Sequence, residues 1–369
     1  MFDFTWTDHT FGNVLYCIAV FTLFIVLFYR KYVTKALVQS TKADLALIIA
    51  AFVLIITACI DGDWFHYGEM VHDYDLTPNA TNYGEPVYFY IINTVNKNYL
   101  LFRIIVWGLA FWMTCMAFKR FEINPNIAVF FLIAVFLVKF NYARATLGMA
   151  SYYLGLSFLL KPRKSLSHIN WLLAILFLFG AYVFHHSMLV LIILTITAFL
   201  PFDKPVVIMA MAICLPLLAS ALKSSLNLVD MLDNEYLSEK LDKYMELDKG
   251  RSNIFGIIAS FFGYGVFLIP VIMDTVAVLK NHTIVSGMIK RLFRITLSTL
   301  LFSLSFLFMG LDSNVFVYRF MFMTFIPITI VTVYLFEHHC IDKKRYSIIV
   351  LWGMFVIFFK LLTLFLDYK

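Results

Sequence analysis

Charged residues are scarce in this sequence: only 14% of the 369 residues are Asp, Glu, Lys or Arg, while 62% are apolar. A soluble globular chain has about 25% charged and about 45–50% apolar residues. The shortage of charge therefore excludes an ordinary soluble enzyme, a disordered chain and a free nucleic-acid-binding domain. It predicts an all-α membrane protein whose helices face lipid or one another.

The chain also has few features of a metal, disulfide or nucleotide site. It contains five cysteines, and none of them forms a CxxC or a metal-type spacing, so neither a disulfide framework nor a zinc site is expected. The motifs GxxxxGK[ST] and GxGxxG are missing as well, which leaves an ATP-driven pump or a cytoplasmic nucleotide-sugar site without support. We expect no metal and no cofactor.

Long apolar runs are what the sequence has instead. A helix needs about 20 apolar residues to cross the hydrocarbon core, and these runs predict about twelve spans in a single transmembrane domain, residues 1–369. The spans near 126–140, 145–160 and 187–201 are short, so tilted, broken or re-entrant helices are alternatives there. The full set lies near 11–30, 44–60, 99–118, 126–140, 145–160, 169–185, 187–201, 205–222, 254–279, 292–311, 317–336 and 346–366.

The distribution of charge predicts the orientation. The first span is followed by Arg30, Lys31, Lys35 and Lys42, which the positive-inside rule assigns to the cytoplasm. Alternation from there puts both termini outside, together with the two longest polar segments. The net charge of +6 is therefore a sign of topology, and we expect no nucleic-acid partner.

The two long outer segments, 61–98 and 223–253, are predicted to be partly helical, each with an amphipathic helix. In 61-DGDWFHYGEMVHDY-74, aromatic residues including Trp64 and Tyr67 repeat at helical spacing, with Asp63 off that stripe. Such a helix is either a solvated interfacial anchor or a helix facing a sugar substrate. Glu85 precedes Pro86, a pair that by itself indicates a helix start.

Arginines at the ends of apolar spans are candidates for an anion site. Arg144 and Arg319 both lie at predicted outer span ends, and Arg103 lies within a span. Each either reaches lipid headgroups or binds phosphate, which a guanidinium matches in a bidentate way. Gly148 and Ser151 follow Arg144 on one helical face, which we expect to be small and open.

Two histidines, His185 and His186, stand between the sixth and seventh predicted spans. Adjacent histidines do not face the same way on a helix, so a metal site there has little support. They are either interfacial residues or a source of a general base, because an unperturbed imidazole titrates near pH 6.5.

The order of these elements resembles the EpsG family of bacterial exopolysaccharide proteins, which are relatives of the Wzy-type polysaccharide polymerases. The matching elements are Asp63 and Tyr67, Glu85-Pro86, Arg144-Ala-Thr-Leu-Gly148, Phe184-His185-x-Ser187 and Tyr318-Arg319-Phe320.

The resemblance implies a polytopic glycosyltransferase of the GT-C type in the bacterial cytoplasmic membrane. Such an enzyme transfers a glycan from undecaprenyl diphosphate to a sugar hydroxyl of a second lipid-linked unit at the outer face. Its partners would be undecaprenyl-diphosphate-linked oligosaccharides and membrane lipid, with a flippase and a chain-length regulator as candidate protein partners.

The reaction that the resemblance implies needs diphosphate ligands, a general base and substrate-binding residues, and each has candidates in this sequence. Fixed cations suit a departing diphosphate, so Arg144 and Arg319, then Arg103, are the predicted diphosphate ligands. His185 is the first choice for the general base, followed by Asp63 and then His186. The predicted substrate-binding residues are Glu85, Tyr67, Trp64 and His186.

Three other functions remain open at this point. A flippase or transporter of lipid-linked sugars would also use arginines and outer aromatic residues, but should show internal repeats, and no convincing repeat is visible. A membrane O-acyltransferase would use a histidine within a helical bundle, yet no acyl-donor motif is recognisable. A non-catalytic assembly scaffold would tolerate the loss of every polar residue named above.

Overall fold

The computed structural model describes residues 11–29, 44–58, 63–72, 86–140, 142–161, 168–200, 214, 217, 254–281, 283–305, 317 and 320–366. Every regular element within these ranges is helical. The α-helices are α1 (Phe11–Phe28), α2 (Leu45–Thr57), α3 (Asp63–His72), α4 (Pro86–Thr94), α5 (Tyr99–Arg120), α6 (Pro125–Phe140), α7 (Ala143–Leu159), α8 (His168–Phe184), α9 (Met188–Leu194), α10 (Ile254–Lys280), α11 (Gly287–Ser305), α12 (Phe325–Glu337) and α13 (Lys343–Leu366). A 3₁₀ helix, Thr195–Phe199, continues α9.

Three of the described helices are long and apolar enough to cross a membrane, judged by length and composition. They are Tyr99–Arg120, Gly263–Lys280 and Phe320–Glu337, and shorter apolar helices accompany them. The all-helical prediction is therefore confirmed for the described residues, the three candidate spans are consistent with a polytopic membrane protein, and the number of about twelve spans stays a prediction. The predicted loop 223–253 lies outside the described residues, as does most of the predicted span 205–222.

Local sequence explains where several helices begin. The Asn98 side-chain oxygen accepts a hydrogen bond from the Leu101 amide at 3.0 Å and so caps α5. Both α4 and α6 begin at a proline, Pro86 and Pro125. The first position of a helix needs no intrahelical N–H donor, so proline costs no hydrogen bond there.

Helix α6 is the centre of the bundle, since all of its side chains are buried. The Phe130 ring stacks on Phe28 of α1 at 3.7 Å, and the Phe136 ring lies 5.8 Å from that of Phe325 in α12. Neighbouring helices therefore enclose α6 on its different faces, and it contacts little lipid.

Two of the short predicted spans are interrupted. The span near 126–140 corresponds to α6, in which Phe136 has non-helical angles (φ −122°, ψ 15°) that produce a kink. The span near 187–201 divides into the seven-residue α9 and the 3₁₀ helix. A broken helix was one of the alternatives that the sequence left open for both.

The bundle has two opposite ends, and contacts between the ends of its helices define each of them. At one end Arg120 Nε donates to Ser157 Oγ at 2.9 Å, and Arg291 Nη1 donates to the Leu160 carbonyl at 3.4 Å. We call this the basic end. At the other end the first turns of α5 meet the last turn of α2, through the bonds of Arg103 described below. We call that the site end.

Gly353 of α13 provides a test of this packing, because a Cβ there would lie 2.5 Å from the Val135 Cα of α6. Alanine must push the two helices apart, and overpacking of this kind costs about 1–3 kcal/mol. We expect Gly353→Ala to lower the thermal unfolding midpoint of the detergent-solubilised protein. Gly287→Ala is the matched control, since its Cβ would meet nothing within 4 Å. Equal midpoints for both variants and the unsubstituted protein would contradict the packing of α13 on α6.

Candidate functional site

Arg144 stands at the point where three helices meet at the site end. Its backbone N–H and its Nε both donate to the Tyr67 hydroxyl of α3, at 3.4 and 3.3 Å. The Tyr88 hydroxyl of α4 donates to the Arg144 carbonyl at 3.3 Å. The predicted anion ligand is therefore held, half-buried, at the amino end of α7, where the helix dipole also favours negative charge.

Tyr67 is buried against α5 rather than exposed to lipid, being only 4% exposed. Its ring lies 5.9 Å from the Trp107 ring, edge to face, and 6.3 Å from the Phe102 ring. Trp107 is fixed in turn, since its Nε1 donates to the Phe140 carbonyl at 3.0 Å. Tyr67 thus packs on the bundle, and its hydroxyl points at Arg144.

Arg103 is 1% exposed and connects α5 to the end of α2. Its Nε donates to the Ile56 carbonyl at 2.7 Å, and its Nη2 donates to the Ile55 carbonyl at 3.0 Å. Carbonyls in the last turn of a helix lack an intrahelical donor and carry partial negative charge. The guanidinium also lies 4.1 Å from the Trp107 ring centroid. This geometry gives Arg103 a positioning role, and its assignment as a diphosphate ligand stays a prediction.

His185 lies beside α7, one turn beyond Arg144. A Cβ added at Gly148 would stand 3.0 Å from the His185 Cβ, so the histidine backbone approaches α7 where that helix has no side chain. The His185 amide donates to the Ala181 carbonyl at 2.9 Å and so closes α8. His186 is exposed instead, with its ring 5.0 Å from that of Tyr182. The structure therefore separates the two histidines, and His185 is the one near Arg144.

The small face of α7 is filled rather than open, which corrects the sequence-based expectation. Ser151 Oγ donates to the Phe177 carbonyl of α8 at 2.7 Å, and Gly148 is covered by His185 and Met188. A Cβ at Gly155 would stand 3.1 Å from the Leu178 nitrogen. Small residues let two helix backbones approach closely in a membrane, and here they bring α8 and its terminal histidine against α7.

The turn before α12 lies against α7 as well. The Phe322 ring is 4.9 Å from that of Tyr142, which precedes α7, and Tyr153 of α7 donates to the Met323 carbonyl at 2.8 Å. Pro327 has no N–H, so the Met323 carbonyl lacks a helical donor four residues on and is available to Tyr153. Arg319 lies outside the described residues, but the chain that follows it is held beside the helix that carries Arg144.

The remaining predicted site residues cannot all be placed. Glu85 lies outside the described residues, as Arg319 does. Asp63 and Trp64 belong to α3, but their side chains are outside the described part of the structure. No group of three or more His, Cys, Asp or Glu residues occurs within the described ranges, and the expectation of no metal stays a prediction.

Two buried ionisable residues were missed from the sequence. Asp274 in α10 is 1% exposed, and Lys139 in the last turn of α6 is 7% exposed. The signal was available, since each stands in an otherwise apolar run, and ionisable residues within a membrane are functional candidates by default. Lys139 lies five residues before Arg144 and thus near the site end, whereas Asp274 lies in a different part of the bundle.

One of three comparisons with known proteins identifies a family. Residues 44–369 match the EpsG family. No curated protein and no solved structure matches the chain. The family match covers most of the sequence, including every described element of the site. The chain therefore belongs to the EpsG family, a family of polysaccharide-polymerase-like membrane proteins.

Proposed function

We propose that this protein polymerises lipid-linked oligosaccharide repeat units. It transfers a glycan from undecaprenyl diphosphate to a sugar hydroxyl of a second lipid-linked unit, as a GT-C-type glycosyltransferase. Membership of the EpsG family supports a polymerase-type membrane glycosyltransferase, and the donor, the acceptor and the residue roles are the proposal.

The observation that carries the proposal is the position of His185 against Gly148, one helical turn from Arg144, at the site end. These residues come from α7 and from the junction of α8 and α9, and Gly148 brings them within about one helical turn of each other. A leaving diphosphate needs a fixed cation, and an attacking hydroxyl needs a base. The pair supplies both groups in one place, with the Tyr67 hydroxyl orienting the guanidinium.

The proposed reaction has a simple balance of bonds and protons. The acceptor hydroxyl oxygen attacks the anomeric carbon of the donor glycan while its proton passes to the neutral His185 imidazole. The bond from the anomeric carbon to the diphosphate oxygen breaks, and its electron pair leaves with the diphosphate. Arg144, with Arg319 as second cation, stabilises the charge that develops on that leaving group. Asp63 is the second candidate for the base, and Glu85, Trp64 and His186 are the remaining candidates for sugar contacts.

The location follows from the same arrangement. We place the site end at the outer face of the bacterial cytoplasmic membrane, with both termini outside. Basic residues such as Arg120 and Arg291 gather at the opposite end, as expected of the cytoplasmic side. Delivery of lipid-linked units to the outer face would make a flippase, and control of length a chain-length regulator, the expected protein partners.

The direct test is synthesis by the purified protein. Given an undecaprenyl-diphosphate-linked repeat unit, it should produce a ladder of longer glycans without ATP. We expect Arg144→Ala, Arg319→Ala and His185→Ala each to reduce the rate at least about a hundredfold, the scale for loss of a charge-stabilising donor or a general base. His168→Ala and Arg345→Ala are matched controls, since both residues are exposed and at the basic end.

The possible outcomes separate the competing functions. Full ladders from all three site variants would contradict the residue assignments. A single added sugar would indicate a monofunctional transferase. Movement of the lipid-linked unit across vesicles without bond formation would indicate the flippase.

The adjacent residues Tyr152 and Tyr153 allow a matched test of the turn before α12. Both are fully buried, and each donates a hydrogen bond to a carbonyl, but Tyr152 bonds Leu191 of α9 whereas Tyr153 bonds Met323. We expect Tyr153→Phe to slow polymerisation about tenfold, which corresponds to about 1.4 kcal/mol, because the turn that follows Arg319 is released from α7. Tyr152→Phe should lose similar stability and retain its rate.

Rates and unfolding midpoints of the two tyrosine variants should be measured side by side. Equal rates at equal midpoints would show that the Met323 bond has no special part in the reaction.

A further inference from the structure

Asp274 is the most deeply enclosed acidic residue in the described part of the chain. It is 1% exposed, and it is the only acidic residue in α10. It lies six residues before Lys280, so a rise of 1.5 Å per residue puts it about 9 Å inside the basic end. It is therefore distant from Arg144 and has no part in the proposed reaction.

Only one of the two carboxyl oxygens of Asp274 has a hydrogen-bond partner among the described residues. Its Oδ2 accepts a hydrogen bond from Thr332 Oγ1 of α12 at 2.8 Å, while its Oδ1 is buried and has no hydrogen-bond partner among the residues that the structure describes. A carboxylate offers about four lone-pair sites, and a single hydroxyl satisfies one of them. A buried polar atom left in this state calls for an explanation, such as a bound ion or proton.

The Thr332 hydroxyl donates its hydrogen bond to this carboxyl group rather than to a carbonyl of its own helix. Thr296, Thr299 and Thr329 each donate to the carbonyl four residues earlier, at 2.8 to 2.9 Å. Thr332 donates across to α10 instead. Two helices thus direct oxygen atoms at one point.

Among the described residues, no basic side chain pairs with Asp274. The helices that pack on α10 include α12 and α13, whose titratable groups are Tyr334, Glu337, Tyr346 and Lys360 with the exposed residues at the start of α13. None of these forms a hydrogen bond or an ion pair with Asp274 among the described residues, where Thr332 is its one partner. An uncompensated carboxylate in a dry interior costs several kcal/mol, so another positive charge is required there.

We propose that Asp274 and Thr332 form a binding site for a univalent cation, H⁺ or Na⁺, between α10 and α12. The ligand neutralises the carboxyl group and binds the unpaired Oδ1. It enters from the basic end, where Glu337 closes α12 one and a half turns beyond Thr332. The site is separate from the proposed glycosyl transfer and stands whether or not that function is correct.

The probe is dicyclohexylcarbodiimide, an apolar reagent that modifies protonated carboxyl groups. The full-length protein in nanodiscs is labelled in choline chloride across a pH series, and at fixed pH with sodium replacing choline. Mass spectrometry of the peptide that contains Asp274 measures the extent of labelling. Asp274→Asn removes the target, and Asp342, exposed and paired with Arg345, is the internal control.

We expect labelling at Asp274 and none at Asp342. Protection by sodium but not by choline supports Na⁺ as the ligand; at about ten times its Kd, sodium would leave about a tenth of the sites free. Labelling that falls with rising pH and does not change when sodium replaces choline supports H⁺ as the ligand.

Two further variants test the composition of the site. Thr332→Val should shift the half-point of this protection, whereas Thr329→Val, equally buried but bonded to Phe325, should not. The thermal midpoint should also respond to sodium or pH in the unsubstituted protein, and this response should be lost in Asp274→Asn.

The proposal is overturned by a joint result. Labelling that is constant or absent under all conditions, with the same midpoint response in Asp274→Asn as in the unsubstituted protein, would show that no cation binds there.

Discussion

The guanidinium of Arg103 and the last carbonyls of α2 form hydrogen bonds with each other in the buried interior of the bundle. A helix end within a lipid-embedded bundle leaves carbonyls that must be paired by the protein, and a buried arginine requires acceptors. Hydrogen bonds to a charged group contribute about 1.5–3 kcal/mol each, and removal of one partner from a buried pair costs about 3–5 kcal/mol. This contact holds α2 on α5 and thereby defines one side of the site.

The site is assembled outward from that contact. Arg103 lies on the Trp107 ring, Trp107 supports Tyr67, and the Tyr67 hydroxyl receives two hydrogen bonds from Arg144. One turn along α7 from Arg144, Gly148 lets His185 approach the helix. Arg144 and His185 are thus held by helices whose polar groups are internally paired, and fixed positions of this kind are the preorganisation that the proposed reaction needs.

Apolar run lengths predicted the helices well, and the ionisable residues beside those runs pointed to Arg144 and His185, whose roles stay a prediction. The partners of Arg103 were beyond sequence reasoning, because Ile55 and Ile56 contribute backbone carbonyls that no side-chain pattern reveals. The orientation of Tyr67 was ambiguous, since an aromatic stripe serves a lipid interface and a protein contact equally well. The closed face of α7 shows the same limit: Gly148 and Ser151 indicate close approach, but not whether a helix or a ligand approaches. Asp274 was overlooked for a different reason, because its partner Thr332 is distant in sequence and α10 looks uniformly apolar without it.

The central claim is that the site end of this bundle breaks a bond to diphosphate each time it forms a glycosidic bond. The most direct measurement is the molar ratio of undecaprenyl diphosphate released to glycosidic bonds formed by the purified protein acting on a lipid-linked repeat unit. The account predicts a ratio of about one, independent of ATP, because a single leaving group departs in each transfer. Lipid-linked units that change sides of the membrane with no release of undecaprenyl diphosphate would contradict it.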